Sequence, residues 1–181
     1  MQRCGLELVR YLPASIPPHR PQPQASAEQR LQMVSIALEN EPGMVIDDLE
    51  LRRKGRSYTI DTVNSLQKSF PDTRFSLILG LDALLGFDSW HQWQALLKSV
   101  DIIAMVRPGW HRPDPLPAWW REAINHTRRD TVKIELVDIE PIDISATRIR
   151  QGIANGENVG EFLHPGVWQF IQTHRLYEQK T

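Results

Sequence analysis

Segments with strand-like and helix-like hydrophobic patterns alternate along nearly the whole chain, and this alternation limits the folds open to it. Short apolar runs predict strands at 6–12, 44–47, 75–79, 101–106 and 132–137. Amphipathic stretches predict helices at 26–40, 59–70, 90–99 and 118–127, with two more near the C-terminus. Strands separated by helices pair in parallel. We therefore expect a single α/β domain, residues 1–181, built on a doubly wound parallel sheet.

The composition excludes several classes of function. Hydrophobic residues make up 41% and charged residues 24%, and no apolar run approaches the length of a membrane span. Lys and Arg number 21 against 22 for Asp and Glu, so the net charge of −1 gives no general attraction to nucleic acid. The single cysteine, Cys4, excludes an intramolecular disulfide and a cysteine-based zinc site. We expect a cytoplasmic protein with no nucleic-acid or membrane partner, in which an anion binds at a local site.

The stretch 144–150, Ile-Ser-Ala-Thr-Arg-Ile-Arg, has the features of such an anion site. Ser145 is a natural N-cap for a helix over 146–154, and Asn155-Gly156 is a helix-stop signal. Free N–H groups at a helix start attract anions. Thr147 and Arg150 lie three residues apart, so they share a helix face and can meet one polyphosphate. The alternative is a capped surface helix with two solvated arginines.

Other polar residues follow predicted strands, where parallel α/β sheets collect their ligands. The proline-rich loop 13–23 carries His19 and Arg20, although an exposed proline turn would present the same residues. Asp82 is suited to accept hydrogen bonds from ribose hydroxyls or to serve as a helix N-cap. Arg107 is suited to bind a phosphate or simply to be solvated.

Tryptophans are the other unusual feature. Trp90 falls at the predicted start of a helix, where an indole is usually a core residue. Trp110, Trp119 and Trp120 flank a proline-rich, histidine-containing insert. They are either packing residues or a surface for assembly into a homo-oligomer.

Taken in order, these segments resemble the bacterial nicotinate-nucleotide adenylyltransferase family over nearly the whole chain. The matching segments are Pro17-Pro18-His19-Arg20, Ser57-Tyr58-Thr59, Gly80-x-Asp82, Phe87 with Trp90, Arg107-Pro108-Gly109 and 144–150. The resemblance implies the Rossmann-like fold of the nucleotidyltransferase superfamily. It also implies transfer of AMP from ATP, with Mg²⁺, to nicotinate mononucleotide, giving deamido-NAD and pyrophosphate.

The resemblance also implies roles for individual residues. The ATP phosphates would be held by Ser145, Thr147 and Arg150, with His19 and Arg20 near them. The mononucleotide would be held by Thr59, Asp82, Trp90, His91 and Arg107. In that assignment Trp90 stacks on the pyridine ring, and the N–H groups of Trp90 and His91, with the Thr59 hydroxyl, receive the nicotinate carboxylate. We expect His91 to act as a surface residue rather than as a general base.

One family segment is absent from this sequence. Members begin with a strand, a glycine-rich turn and Gly-Gly-Thr-Phe-Asp-Pro-x-His-x-Gly-His, whose histidines handle the ATP phosphates. We therefore assign no catalytic residue here, and we expect the sheet to lack its first, central strand. Two explanations stay open: Met1 is an internal methionine or misplaced start of a longer protein, or the chain is a truncated product.

Three other functions remain to be separated from the transferase. The first is an inactive remnant that binds the mononucleotide without ATP chemistry. The second is another adenylyltransferase of the superfamily, such as the phosphopantetheine type, against which Phe87, Trp90 and the segment Ser57-Tyr58-Thr59 argue. The third is a purely structural or protein-binding domain, in which residues 144–150 would resemble a phosphate-binding motif by chance.

Overall fold

The computed structural model describes residues 1–16, 23–53, 55–107, 111–125, 133–140 and 144–179. The chain divides into two compact units. Unit 1 comprises Met1–Ser57 and Asp143–Thr181, and unit 2 comprises Tyr58–Ile142. Each unit has its own parallel sheet and its own apolar core. That the whole chain forms a single domain stays a prediction.

Strands and helices alternate through the middle of the chain, as the hydrophobic pattern predicts. The strands are β1 Val9–Tyr11, β2 Met44–Ile46, β3 Ser76–Gly80, β4 Asp101–Val106 and β5 Ile134–Asp138. The helices are α1 Ala27–Leu38, α2 Leu49–Arg52, α3 Thr59–Ser69, α4 Leu81–Leu85, α5 Trp93–Ser99, α6 Ala118–Asn125, α7 Ala146–Ala154 and α8 Pro165–Thr173. Short 3₁₀ turns lie at Gln2–Cys4, Phe87–Ser89 and Gly160–Phe162.

Unit 1 contains a two-stranded parallel sheet and a helical core. β1 pairs with β2, with Val9 opposite Met44 and Tyr11 opposite Ile46. α1 is the crossover between the two strands, and it packs against α8. The buried residues of this core are Ala25, Ile153, Val159, Val167, Ile171 and Leu176. The first and last parts of the chain therefore share one core.

Unit 2 contains a three-stranded parallel sheet in the order β3-β4-β5. β4 is central, and its Ile102 and Ala104 are fully buried. The core on this sheet includes Leu84, Phe87 and Leu96, each 0% exposed. All strand pairs formed by the described residues are parallel, which confirms the predicted α/β class.

Some element boundaries differ from the prediction. The helix expected at 90–99 begins only at Trp93, because Trp90 ends the preceding 3₁₀ turn and Gln92 adopts a left-handed backbone with φ of 52°. The four- and five-residue helices α2 and α4 were not predicted, since neither is long enough to show helical periodicity. α7 begins and ends where its cap and stop signals place it.

The tryptophans of the insert are packing residues. Trp119 and Trp120 are 6% and 3% exposed, and their rings stack with centroids 5.8 Å apart. Burial removes them from the solvent-facing surface that self-association would need. Trp110 lies outside the described residues.

Among the described helices, none combines the length and the apolar character that crossing a bilayer requires.

Candidate active site

The start of α7 in unit 1 is built by a local cap. The Ser145 hydroxyl oxygen accepts a hydrogen bond from the Arg148 N–H at 3.1 Å, and the Ser145 carbonyl accepts one from the Ile149 N–H. The N–H groups of Ala146 and Thr147 make no hydrogen bond to the described part of the chain. Unpaired donors at a helix start carry the positive end of the helix dipole, so this end of α7 suits an anion.

Two side chains extend the same surface of unit 1. Thr147 and Arg150 are both exposed and lie one helical turn apart on α7. Arg148, between them, is also exposed, and its position on the helix directs it away from their common face. Neither arginine forms an ion pair with a described carboxylate. A hydroxyl and an unneutralised guanidinium are therefore available to a phosphate group beside the free N–H groups.

The second set of predicted residues lies in unit 2, at the turn between Phe87 and α5. Trp90 is partly exposed, and its ring packs against the buried ring of Phe87 with centroids 5.3 Å apart. Phe87 in turn packs on Trp119 at 5.5 Å. One side of the indole is therefore supported by the core. Such a supported ring is a platform on which a flat heterocycle can stack.

A ring contact connects this turn to the start of α3. The rings of Tyr58 and His91 lie with centroids 4.3 Å apart. Tyr58 is the N-cap residue of α3, and Thr59 is the first residue of that helix. His91 Nε2 also lies 3.2 Å from the side-chain amide nitrogen of Gln92. The imidazole is therefore held between two side chains, which suits a positioning role better than proton transfer.

One donor predicted for the carboxylate is not available. The Trp90 N–H donates to the Phe87 carbonyl at 3.0 Å, because a 3₁₀ turn, and not a helix start, ends at Trp90. The prediction of a free N–H at Trp90 is therefore wrong. The His91 N–H makes no hydrogen bond within the described ranges, and neither does that of Gln92. The free backbone donors of this turn are therefore those of His91 and Gln92, rather than those of Trp90 and His91.

Asp82 lies at the carboxyl end of β3 in the first turn of α4. The N-cap of α4 is Gly80, so the alternative that Asp82 caps the helix is wrong. Its Oδ1 occupies the space that a Cβ would need at Gly80, which explains why glycine suits that position. Asp82 is exposed and forms no ion pair with a described residue, so both of its oxygens can accept hydrogen bonds from a ligand.

The remaining predicted residues are described only in part. Arg107 is exposed and directly follows β4, the strand next to β3, so Asp82 and Arg107 leave the sheet from neighbouring carboxyl ends. His19 and Arg20 lie outside the described residues. The structure thus packs His91, next to Trp90 in the chain, against Tyr58, which directly precedes Thr59 in unit 2. It places Ser145, Thr147 and Arg150 at the N-cap and in the first turns of one helix in unit 1.

Sequence analysis assigned no separate role to Tyr58. Its contact with His91 joins residues 33 positions apart, and no local periodicity indicates such a pairing. The family resemblance included the Ser57-Tyr58-Thr59 segment, but it did not indicate what the Tyr58 ring contacts. The left-handed Gln92 was also missed, since glutamine is not typical of that conformation.

Metal binding has no dedicated protein site within the described ranges. No three His, Cys, Asp or Glu residues there are grouped so that they could hold an ion. The described side chains therefore do not fit a protein-only metal cage. Mg²⁺ is often held mainly by substrate phosphates and water, which needs few protein ligands.

Comparison with known proteins gives a consistent result. The Cytidylyltransferase-like family pattern matches residues 1–152. A probable nicotinate-nucleotide adenylyltransferase of Aeromonas hydrophila is 42% identical, over 96% of this chain and 84% of that protein. One from Yersinia pestis is 36% identical, over 97% of this chain and 84% of the relative.

A solved structure agrees on the fold. It is Plasmodium falciparum nicotinic acid mononucleotide adenylyltransferase complexed with NaAD, which superposes with a TM-score of 0.73 at 16% identity. The superposition covers 94% of this chain and 82% of the other. The fold is thus the Rossmann-like nucleotidyltransferase fold. On the sequence matches, the chain belongs to the nicotinate-nucleotide adenylyltransferase family.

Proposed function

We propose that the protein transfers AMP from ATP to nicotinate mononucleotide, producing deamido-NAD and pyrophosphate. The observation that carries the proposal is the family membership over nearly the whole chain. Each unit has one feature that this reaction needs: an anion site in unit 1 and a platform for a flat ring in unit 2. No observation favours a phosphopantetheine substrate, a remnant without ATP chemistry or a purely structural domain.

The reaction requires no nucleophile from the protein. An oxygen of the mononucleotide phosphate attacks the α-phosphorus of ATP, the new P–O bond forms, and the bond to the β-phosphate oxygen breaks with release of pyrophosphate. Catalysis then consists of positioning and of neutralising the negative charge on the leaving pyrophosphate. We assign that neutralisation to Arg150, Thr147 and the free N–H groups at the start of α7.

Unit 2 supplies the groups that select the acceptor. Trp90 would stack on the pyridine ring, supported from behind by Phe87. The nicotinate carboxylate would receive hydrogen bonds from the His91 N–H and the Thr59 hydroxyl. A carboxylate accepts such bonds more strongly than a carboxamide does, so these donors favour the acid form. Asp82 would accept hydrogen bonds from the ribose hydroxyls, and Arg107 would contact the phosphate of the mononucleotide.

We assign the remaining phosphate contacts to His19 and Arg20, on the family resemblance alone. Mg²⁺ would enter with ATP and be held largely by its phosphates. We further propose that the enzyme works in the cytoplasm without a nucleic-acid or membrane partner, which the net charge of −1 supports. Assembly into a homo-oligomer stays a prediction.

The test is a direct assay of both products. Purified protein is supplied with ATP, Mg²⁺ and either nicotinate or nicotinamide mononucleotide, and pyrophosphate and dinucleotide are measured together. We expect equal amounts of the two products, with a higher kcat/KM for the acid mononucleotide. Pyrophosphate released without a dinucleotide would contradict the proposal, because ATP would then be reacting with water.

A further inference from the structure

Arg30 in unit 1 is an arginine that does not belong to the candidate active site. Its backbone is fixed by the first turn of α1. Ser26 Oγ accepts from the Gln29 N–H, the Gln29 side chain accepts from the Ser26 N–H, and the Arg30 N–H donates to the Ser26 carbonyl at 3.0 Å. This is a complete capping box, which places residue 30 with little freedom at its Cα.

The guanidinium of Arg30 is anchored at one end only. One terminal nitrogen, Nη2, donates to the Ser15 carbonyl at 3.2 Å, in the segment that follows β1. Nε is buried and makes no hydrogen bond to the described residues. A buried N–H of a charged group without an acceptor costs free energy. A neutral, apolar side chain would avoid that cost, so packing alone does not explain an arginine at this position.

No described carboxylate neutralises this charge. Arg30 forms no ion pair with any described residue. Glu28 is near enough to interact with it, but its carboxylate accepts from Ser26 Oγ at 2.8 Å. The pKa of Glu28 is lowered chiefly by a backbone hydrogen bond and by Ser26, and only to a smaller extent by the charge of Arg30. The positive charge of Arg30 therefore remains available to an external anion.

Arg30 also lines a cleft at the carboxyl end of β1. The cleft has a volume of about 320 Å³ and is lined by Tyr11, Leu12, Pro13, Arg30, Met33 and Val34. Arg30 is its single charged lining residue among those described. Carboxyl ends of strands are where parallel α/β folds bind their ligands.

We propose that Arg30 is a further anion-binding residue of this enzyme, which binds a phosphate-bearing group of a nucleotide substrate at the cleft beside the carboxyl end of β1. A guanidinium without a carboxylate partner attracts a phosphate, and its planar fork matches the phosphate oxygens. The inference rests on the proposed function. The bound group is either the polyphosphate of ATP or the phosphate of the mononucleotide, and the two can be separated by varying each substrate in turn.

The test replaces Arg30 by an apolar side chain of similar length. Arg30→Met is expected to raise the KM of one of the two substrates about tenfold and to leave the other KM nearly unchanged. Arg30→Lys, which keeps the charge but loses the fork, should fall between the wild type and Arg30→Met. The melting temperature of Arg30→Met should change little, because the loss of the bond to the Ser15 carbonyl is offset by the removal of a buried unpaired donor.

Two control variants separate charge from loop anchoring. Ser57→Ala removes the hydroxyl that accepts from the Ser15 N–H at 2.9 Å, so it releases the same segment without changing a charge. Arg148→Met removes an exposed charge from unit 1. Both are expected to leave the two KM values near those of the wild type. If Ser57→Ala raises the same KM as Arg30→Met does, Arg30 acts by anchoring the segment and the inference is overturned.

A binding measurement tests the inference without turnover. Pyrophosphate, ATP and nicotinate mononucleotide are each added to wild type and Arg30→Met, and the rise in melting temperature is measured. At least one of them should stabilise the wild type more than Arg30→Met. Equal shifts for the two proteins, or no shift of the wild type with any of the three, would overturn the inference. A wild type that binds these anions through Arg30 but transfers no AMP would instead contradict the proposed function.

Discussion

The two units present their candidate ligand-binding residues in different ways. In unit 1 the anion site is local: Ser145, Thr147 and Arg150 lie within six residues, and the hydrogen bonds of one helix start orient them. In unit 2 the ring platform depends on tertiary packing, since Trp90 is supported by buried Phe87 and His91 by Tyr58, the N-cap residue of α3. A phosphate needs donors and charge, which a helix start provides, whereas a flat ring needs a rigid surface that only a core provides.

The largest expected effect tests the platform of unit 2. Trp90→Ala should raise the KM for nicotinate mononucleotide by about 10- to 100-fold, because ring stacking contributes on the order of 1–3 kcal/mol. The KM for ATP should change little. Steady-state kinetics with each substrate varied in turn measures both. Trp90→Phe, which keeps a ring, is the matched control, and equal increases in the two KM values would remove Trp90 from the acceptor site.

The next effect tests the charge at the helix start of unit 1. Arg150→Met should raise the KM for ATP about tenfold, since a hydrogen bond to a charged group contributes about 1.5–3 kcal/mol. Arg148→Met, two residues away on the same helix, should leave the ATP kinetics nearly unchanged. Indistinguishable kinetics for the two variants would mean that only net charge matters and that Arg150 has no specific contact.

A smaller effect separates the cap from the ligand contact. Ser145→Ala should lower the free energy of unfolding by about 1 kcal/mol, because the Arg148 N–H loses its acceptor. Ser145→Asp restores a capping oxygen but adds negative charge where the ATP phosphates would bind. It should therefore recover the stability in denaturant unfolding while weakening ATP use. Full ATP activity in Ser145→Asp would show that the phosphates do not approach this residue.

The smallest expected effect tests the charge of Asp101 at the start of β4 in unit 2. Burial alone would raise the pKa of Asp101, but hydrogen bonds from Arg74 and the Lys133 N–H, with the charges of those two residues, outweigh it and the pKa is lowered. A lowered folded-state pKa stabilises the fold above the unfolded-state pKa, and the contribution is lost as the pH falls through the folded-state pKa.

Asp101→Asn should therefore be less stable than the wild type at pH 7, by about 1 kcal/mol or less because the pair is partly screened by solvent. The difference should shrink as the pH falls through the lowered pKa. Urea unfolding of both proteins across that range measures it. A difference that stays constant with pH would mean that the amide fails to replace the carboxylate for steric reasons.

The difference between local hydrogen bonding in unit 1 and tertiary packing in unit 2 also explains which features could be predicted from the sequence. α7 begins and ends as predicted because its signals, Ser145 and Asn155-Gly156, act within one turn of the helix. The platform was predicted less well. The helix was expected to begin at Trp90, yet a 3₁₀ turn that contains the buried Phe87 ends there. Gln92 adopts a left-handed backbone, which the sequence does not indicate.

Long-range contacts were the other limit. The pairing of Tyr58 with His91 and the bond from Arg30 Nη2 to the Ser15 carbonyl join separate parts of the chain. Periodicity and capping rules describe neighbours along the chain, so they did not indicate either contact. The parallel class of the sheets was predictable, since only helical crossovers of this length connect the strands.

The packed rings of unit 2 have an optical consequence. Ring contacts run from Trp90 through Phe87 to Trp119, and from Trp119 to Trp93 and Trp120. Indoles packed this closely exchange excitation energy, so their emission is shared rather than independent. A pyridine ring that stacks on Trp90 would therefore quench emission from the neighbouring indoles as well as from Trp90. The ultraviolet fluorescence of the unlabelled protein would then report occupancy of the acceptor site directly.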